Sequence, residues 1–384
     1  MTTQTRPVAL TATLCSDPEQ FAALGPEWHR LYRNCRAATP FQSHPWLFSW
    51  WTSYGTAGRL RLVLVRQGDR LVGAAPLMLA YRPMPALVPL GGDISDFSDV
   101  LLDDECPGAA AALVRGLVLA ARGAVIDLRE VRPGGAAEQV WQHWPGVRRR
   151  LDDSVCLELP AVPLPKLLER LPSSSARRFR AKLRKLEALG IEERVVPEHE
   201  VPAAVATMLR LHGLQWHGRG VTPEHLRPRF AEHLVRATTQ MVRTGDALLT
   251  EYRIGDEIMA ADVTLMSSEL AGGYLYGAHP ELRAKKVDIT TMLLRHDSRH
   301  VTESGRSVLS MLRGTEPYKL HWRPETLTNQ RFLLARGSMG PALRLYAAQL
   351  AGREFAARTA SRRMPAVRAW RTKLNNWRAG GARG

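Results

Sequence analysis

The chain lacks the short signatures that most directly announce an enzyme class. Its 384 residues hold no G-x-x-x-x-G-K-[ST] phosphate loop, no G-x-G-x-x-G dinucleotide turn, no G-x-S-x-G nucleophile elbow and no H-E-x-x-H zinc helix. ATPase, Rossmann, α/β-hydrolase and zincin mechanisms thereby lose their first requirement. Cysteine is scarce. Cys15, Cys35, Cys106 and Cys156 form no C-x-x-C pair, which argues against a disulfide framework and reads as four reduced, structural thiols. No apolar run approaches the roughly 18–20 residues that a membrane span needs. Residues 1–10 carry no apolar signal region. The expectation is a cytoplasmic protein.

Acidic residues are nearly missing from the last part of the chain. From Arg331 onward there are 12 basic residues and one acidic residue, Glu354, so +11 of the net +16 lies there and the rest of the chain is only mildly basic. Such a tail suits an anionic surface, lipid or nucleic acid. Leu343, Tyr346 and Leu350 recur at helical spacing beside Arg344 and Arg353, and Trp370 and Trp377 follow among basic residues. Two readings stand for this tail: a basic amphipathic helix on an anionic membrane, or a disordered basic extension.

Hydrophobic residues at 45% and charged residues at 23% describe an ordinary globular protein, and the length suggests two domains. Apolar periodicity predicts helices at 19–36, 45–54 and 109–122, a hairpin at 60–65 and 71–79, and a strand at 124–128. The order recurs: helices at 173–189, 201–214 and 228–244, a hairpin at 247–252 and 258–266, a strand at 270–276, a helix at 290–299 and a strand at 307–312. The two hairpins superimpose in sequence at an offset of 187 residues, with Leu62 on Leu249, Arg66 on Arg253, Gly68 on Gly255, Asp69 on Asp256 and Ala74 on Ala261. Gly-Asp is favoured in any hairpin turn, so part of this match is generic. With the matching helices it predicts two like domains, 1–160 and 161–335, followed by a basic tail, 336–384. Three consecutive strands before a helix predict a mixed, largely antiparallel α/β sheet.

One segment stands out chemically: Leu309–Pro324, LSMLRGTEPYKLHWRP. Arg313-Gly314-Thr315-Glu316-Pro317-Tyr318-Lys319 with Trp322 resembles the closing R-G-x-E-x-Y-K-x-x-W motif of the BioF2-like/CelD branch of the GNAT acetyltransferase superfamily, related to the FemAB transferases. Pro40–Trp46 with Trp50, Ser95–Asp99 and the basic helix Arg177–Gly190 resemble other stretches of that family. The likeness covers roughly residues 10–330. It implies tandem GNAT-like domains, with an acyl-CoA such as acetyl-CoA as co-substrate, no metal, and the reactive site in the second half. The chain departs from the family at Lys285-Lys286-Val287-Asp288, where a Ser-Pro-Gly usually precedes the helix. That departure puts backbone cradling of a pyrophosphate in doubt and leaves the two lysines as point charges for it. Two literal matches to the R-x-x-G-x-[GA] pyrophosphate loop, Arg70–Ala75 and Arg132–Ala137, fall in the wrong context.

Acyl transfer must deprotonate the acceptor, stabilise the carbonyl oxygen and protonate the leaving group. Glu316 is the candidate base, Tyr318 the candidate acid, and Lys319 or Arg313 the candidates for stabilising negative charge. The structural alternative is an Arg313–Glu316 ion pair beside a packed Tyr318. The resemblance places the CoA beside Tyr276, Lys285, Lys286 and Thr290. Candidates for the acceptor side are Asp262, Asp96, Trp216 and His212, the last two next to His217. Asp262 reads equally as a solvent-facing strand position. His296 and His300 have metal-ligand spacing without an evident third ligand, and the expectation there is a solvated helix face. The acceptor expected is a small molecule or a cell-envelope precursor. Six basic residues in Arg177–Lys185 leave room for an alternative donor, an aminoacyl-tRNA, and a non-catalytic module binding an anionic glycan precursor is a third reading.

Overall fold

A computed structural model describes residues 9–81, 84–216 and 222–363. The chain folds into two compact units.

The first unit comprises residues up to Cys156 together with 267–269 and 327–346. It begins with β1 (Leu10–Cys15), α1 (Pro18–Ala23), α2 (Gly25–Asn34) and α3 (His44–Tyr54). The helix expected over 19–36 is broken at Leu24, because Pro26 has no N–H to donate and is accepted only in the first turn of a new helix. β2 (Leu60–Gln67), β3 (Arg70–Tyr81) and β4 (Pro85–Pro89) follow as an antiparallel meander, with β1 antiparallel to β2. A short β5 (Leu101–Leu102) pairs with β3. The chain then crosses through α4 (Ala109–Ala120) to β6 (Val125–Val131), which lies parallel to β4. α5 (Ala137–His143) and the long β7 (Val147–Pro160) complete this stretch.

The second unit takes up residues 157–266 and 270–326. After α6 (Leu164–Glu169) and α7 (Ser173–Ala188) come β8 (Glu192–Val195), α8 (Val201–Trp216) and α9 (Pro228–Thr244). β9 (Ala247–Ile254), β10 (Glu257–Met266) and β11 (Leu270–Ala278) form a second antiparallel meander, flanked by β8 antiparallel to β9. α10 (Pro280–Ala284) and α11 (Ile289–Glu303) cross to β12 (Val308–Arg313), parallel to β11, and a single turn, α12 (Pro317–Leu320), ends the motif segment.

Each unit thus repeats one plan: a strand, helices, three antiparallel strands, a helical crossover and a parallel strand. A parallel neighbour demands such a crossover, whereas the meander needs only tight turns. β2 and β9 coincide at the 187-residue offset from first residue to last. Gly68 and Gly255 occupy the same turn position with φ of 59° and 58°, a left-handed conformation that glycine adopts without a Cβ penalty. The fold is mixed α/β, as the periodicity predicts.

The chain then re-enters the first unit. β13 (Glu325–Ala335) pairs antiparallel with β6, and Arg331 holds the buried Asp127 through two bonds of 2.7 and 2.6 Å. α13 (Gly340–Arg363) follows. Leu343 and Tyr346 are buried, and the Tyr346 hydroxyl donates to Asp127 at 2.7 Å. The apolar stripe offered above to a membrane is therefore spent largely inside the fold, with Leu350 half-buried. Trp370 and Trp377 lie outside the described residues. All four cysteines are buried free thiols, and burial pushes Cys35 up to about 12.

Candidate active site

The second unit holds a cleft that follows from its strand pairing. β11 and β12 are hydrogen-bonded only over Leu270–Gly272 and Val308–Ser310. Beyond that point both strands continue, β11 to Ala278 and β12 to Arg313, with no ladder between them among the described residues. The opening holds a cavity of about 90 Å³ that is open to solvent. Its walls are Leu275, Leu293, Leu294, Leu309, Met311 and Trp322, with Tyr276 and Tyr318 among the polar groups.

The walls are rigid. Trp322 is 2% exposed and lies against Phe179 of α7 with ring centroids 4.1 Å apart. On α11, Thr290, Leu293, Leu294 and Asp297 recur at i, i+3, i+4 and i+7, which puts all four on the cleft. β11 is backed by α8, to which it comes so close that a Cβ on Gly277 would meet the Met208 carbonyl oxygen at 2.2 Å.

The structure brings five of the sequence-predicted residues to this cleft: Tyr276, Thr290, Asp262, Tyr318 and Lys319. Tyr318 sits on α12, 39% exposed. Partial burial and the neighbouring Glu316 and Tyr276 charges raise its phenol above the ordinary range, so it stays protonated. Lys319 is buried; its Nζ donates to the Arg313 carbonyl at 2.7 Å and pairs with Glu316 at 2.8 Å. Glu316 thus engages Lys319, and Arg313 contributes its carbonyl to the same knot at the end of β12.

Lys285, Lys286, Trp216, His212 and Asp96 do not line the cleft. Lys285 is tied to Glu281 one turn back at 2.7 Å, and Lys286 is exposed with φ of 55°. The N-terminus of α11 is closed by Asp288, which accepts from the Thr291 N–H at 2.9 Å and the Thr290 hydroxyl at 2.7 Å and pairs with Lys182 of α7. Burial opposes ionisation of Asp288, but Lys182, Thr290 and Thr291 outweigh it and hold the carboxyl below its usual range. The place where a helix would receive a phosphate already holds a carboxylate. His212 is buried on α8. Its Nδ1 donates to the Tyr276 carbonyl at 2.7 Å, so its Nε2 accepts from His225 at 3.3 Å. Burial keeps its imidazole neutral. Trp216 is a ring neighbour of His212, and His217 lies outside the described residues. Asp96 is a half-buried loop residue of the first unit.

The largest departure from the sequence reading concerns α11. His296 and His300 are not a solvated face: His296 is 1% exposed and His300 is half-buried, and Asp297 between them is 7% exposed. His296 bonds to Glu193 at 3.0 Å and to Thr250 at 2.8 Å. Burial works against its charge, but the Glu193 bond and the nearby Asp262 and Asp297 charges raise its pKa. Asp262 is likewise buried, at 2% exposure, rather than facing solvent. The sequence carried a signal for this in the 290, 293, 294, 297 spacing, which reads as one packed face. Among the described residues no group of three His, Cys, Asp or Glu side chains is placed to hold a metal.

Glu193 joins Arg295, His296 and Arg299 at 2.9, 3.0 and 2.6 Å. Burial opposes its charge, yet these three partners lower it to about 2. Its folded pKa lies below the unfolded one, so its stabilisation is complete above the ordinary glutamate range and disappears as pH falls through about 2. Discounted for the exposure of its partners, the effect is about 1–2 kcal/mol. Urea unfolding at pH 6 and pH 2.5 should show Glu193→Gln less stable than the wild type at pH 6, with most of that gap gone at pH 2.5. An equal gap at both values would refute this.

Comparison with known proteins agrees with this geometry. Residues 173–320, which but for 267–269 lie within the second unit, match the family model described as an acetyltransferase (GNAT) domain. Among solved structures, FemX is similar with a TM-score of 0.58 and 11% identity over 84% of this chain and 98% of that one. L-PGS from Bacillus licheniformis is similar with a TM-score of 0.53 and 12% identity over 88% and 97%. At such identities these show a shared fold. No curated protein matches the chain by sequence. No helix among the described residues is long and apolar enough to cross a membrane.

Proposed function

We propose that the second unit transfers an acyl group from an activated carrier, with acyl-CoA as the leading donor, to a small molecule or cell-envelope precursor. The observation that carries this reading is the cleft between β11 and β12, walled mainly by apolar side chains and bordered by Tyr318 and Lys319. The acyl chain lies against Leu275, Leu294 and Met311; the acceptor's nucleophilic atom bonds to the acyl carbon as the bond to the leaving group breaks, the Tyr318 phenol gives its proton to the leaving atom, and the proton lost by the acceptor restores the phenol. Lys319, held by Glu316 and the Arg313 carbonyl, supplies positive charge beside the reacting carbonyl.

Asp288 favours a second reading, in which the donor is an aminoacyl-tRNA. With the α11 N-terminus capped from within, the donor's phosphates must be met elsewhere. α7 exposes Arg177, Arg178, Arg180, Arg184 and Lys185, and its Phe179 packs on the cleft residue Trp322. Calorimetric titration separates the two. Acyl-CoA binding that persists at 0.2 M salt supports the first reading; tRNA binding that falls steeply with salt, with no acyl-CoA binding, supports the second. In either case Arg177→Glu/Arg180→Glu/Arg184→Glu should weaken donor binding by about tenfold or more. Unchanged binding in that variant would remove α7 from the donor site. Contact of the basic tail with an anionic membrane is a separate proposal, tested by vesicle flotation.

A further inference from the structure

The last turn of α8 reaches the backbone of the strand that walls the cleft. His212 and Gln215 stand three residues apart on that helix and face β11 together. His212 Nδ1 donates to the Tyr276 carbonyl at 2.7 Å, and the Ala278 N–H donates to Gln215 Oε1 at 3.1 Å. The His279 N–H bonds to the Met259 carbonyl of β10 at 2.7 Å, and an antiparallel ladder alternates sides along a strand. Tyr276 and Ala278 therefore present these groups away from β10, where the β11–β12 ladder has already ended at Gly272. Gly277 lets α8 come this close: a Cβ there would stand 2.4 Å from the His212 nitrogen.

A buried imidazole needs both of its nitrogens answered. The Tyr276 carbonyl can only accept, so His212 Nδ1 carries the proton and its Nε2 keeps a lone pair. His225 supplies the matching donor, its Nδ1 lying 3.3 Å from His212 Nε2. His225 stands on the 3-10 turn Pro223–Leu226, and its ring stacks on Phe230 of α9 with centroids 4.7 Å apart. Burial and the neighbouring His212 push His225 down to about 4, and burial lowers His212 as well. Both rings therefore stay neutral near pH 7, with one donor and one acceptor each, and the hydrogen bonds at its two ends leave His212 a single tautomer. Filling the space would need no second polar ring.

The residue this pair holds is part of the site. Tyr276 and Tyr318 both line the cleft, close enough for the Tyr276 charge to act on the Tyr318 phenol. We propose that His212, backed by His225, is a positioning residue for acyl transfer: through the Tyr276 carbonyl it holds the β11 wall where an acyl group meets Tyr318. The inference rests on reading the cleft as an acyl-transfer site. Neither histidine lines the cleft, so both act through Tyr276 and not on a reactant. Reaction rate depends steeply on the placement of the reacting atoms, whereas binding spreads over the whole donor. Loss of the His212 bond should therefore appear in kcat and leave the donor KM nearly alone.

The test sets two replacements against each other in the full chain. His212→Phe keeps the ring volume and loses the N–H. His212→Asn loses volume but keeps an N–H near the place of Nδ1. With an acyl-CoA or aminoacyl-tRNA that the wild type turns over, His212→Phe should lower kcat about tenfold or more at a donor KM within about twofold, and His212→Asn should recover most of that loss. A phenylalanine variant as fast as the wild type, or faster than the asparagine variant, would show that His212 only fills space and would overturn the proposal. Long-range proton–nitrogen NMR spectra add a readout that needs no turnover and no His212 variant. His212 is expected as the neutral Nδ1–H tautomer, with an Nε2 signal that moves when His225→Phe removes its donor. The Nε2–H tautomer, or an Nε2 signal that stays in place, would overturn the proposal equally, and this readout decides the matter if thermal melts show that His212→Phe does not fold. No transfer by the wild type from either donor would sink the acyltransferase reading and this role with it, whereas undiminished turnover by His212→Phe sinks the role alone.

Discussion

A Tyr318→Phe variant is expected to transfer acyl groups roughly 10²–10⁴ times more slowly than the wild type while binding its donor equally well. The substitution keeps the ring and its volume on α12 and removes only the hydroxyl. A leaving thiolate or alkoxide gains its proton, or a strong hydrogen bond, as the bond to the acyl carbon breaks. That interaction exists mainly in the transition state, so its loss appears in kcat and not in KM. The raised phenol pKa keeps the donor proton in place across neutral pH. A kcat within about threefold of the wild type, where general-acid help is worth far more, would show that another group serves the leaving atom and that Tyr318 only walls the cleft.

The second large effect is on stability. Gly277→Ala should destabilise the second unit by about 3 kcal/mol or more. A Cβ there would stand 2.2 Å from the Met208 carbonyl oxygen, 2.4 Å from the His212 nitrogen and 2.9 Å from the Leu211 carbonyl carbon. All three are backbone atoms of α8, so no side-chain rotation relieves the clash; the helix itself must shift away from β11. Because Tyr276 precedes Gly277 and His212 holds the Tyr276 carbonyl, the same shift would disturb the cleft wall. A lower urea midpoint together with weakened donor binding is the expected pair of results. An unchanged midpoint would mean that α8 and β11 are looser than drawn.

What the sequence disclosed was what local rules govern. Both hairpins were legible because Gly68-Asp69 and Gly255-Asp256 fix their own turns and the alternation on either side fixes the strands. The motif around Arg313–Trp322 was legible as a string, and it pointed to the cleft through Tyr318, Lys319 and Trp322. Less accessible was anything set by partners far along the chain. β13 meets β6 across some two hundred residues, as the Arg331–Asp127 pair shows, and no local pattern announces that return. The stripe at Leu343 and Tyr346 was visible, but its partner was not. The burial of Asp262 and His296 was misjudged for a related reason: charged residues default to the surface unless something pairs or shields them, and their shield is assembled from β8, β9, β10 and α11. Residues at Lys285 and Lys286 looked available for phosphates because the sequence does not display Glu281 one turn away, nor Asp288 already seated on the helix end.

The central claim is that the acyl group lodges between β11 and β12. Photolabelling tests it most directly: an acyl-CoA thioether carrying a diazirine in its acyl chain, together with an aminoacyl analogue bearing the same group, is irradiated with the full chain and the sites are mapped by mass spectrometry. The account predicts that one or both label Leu275, Leu294, Met311 or Trp322, and that the matching unmodified donor suppresses the labelling. Labels confined to other parts of the chain, or labelling that no donor suppresses, would contradict it.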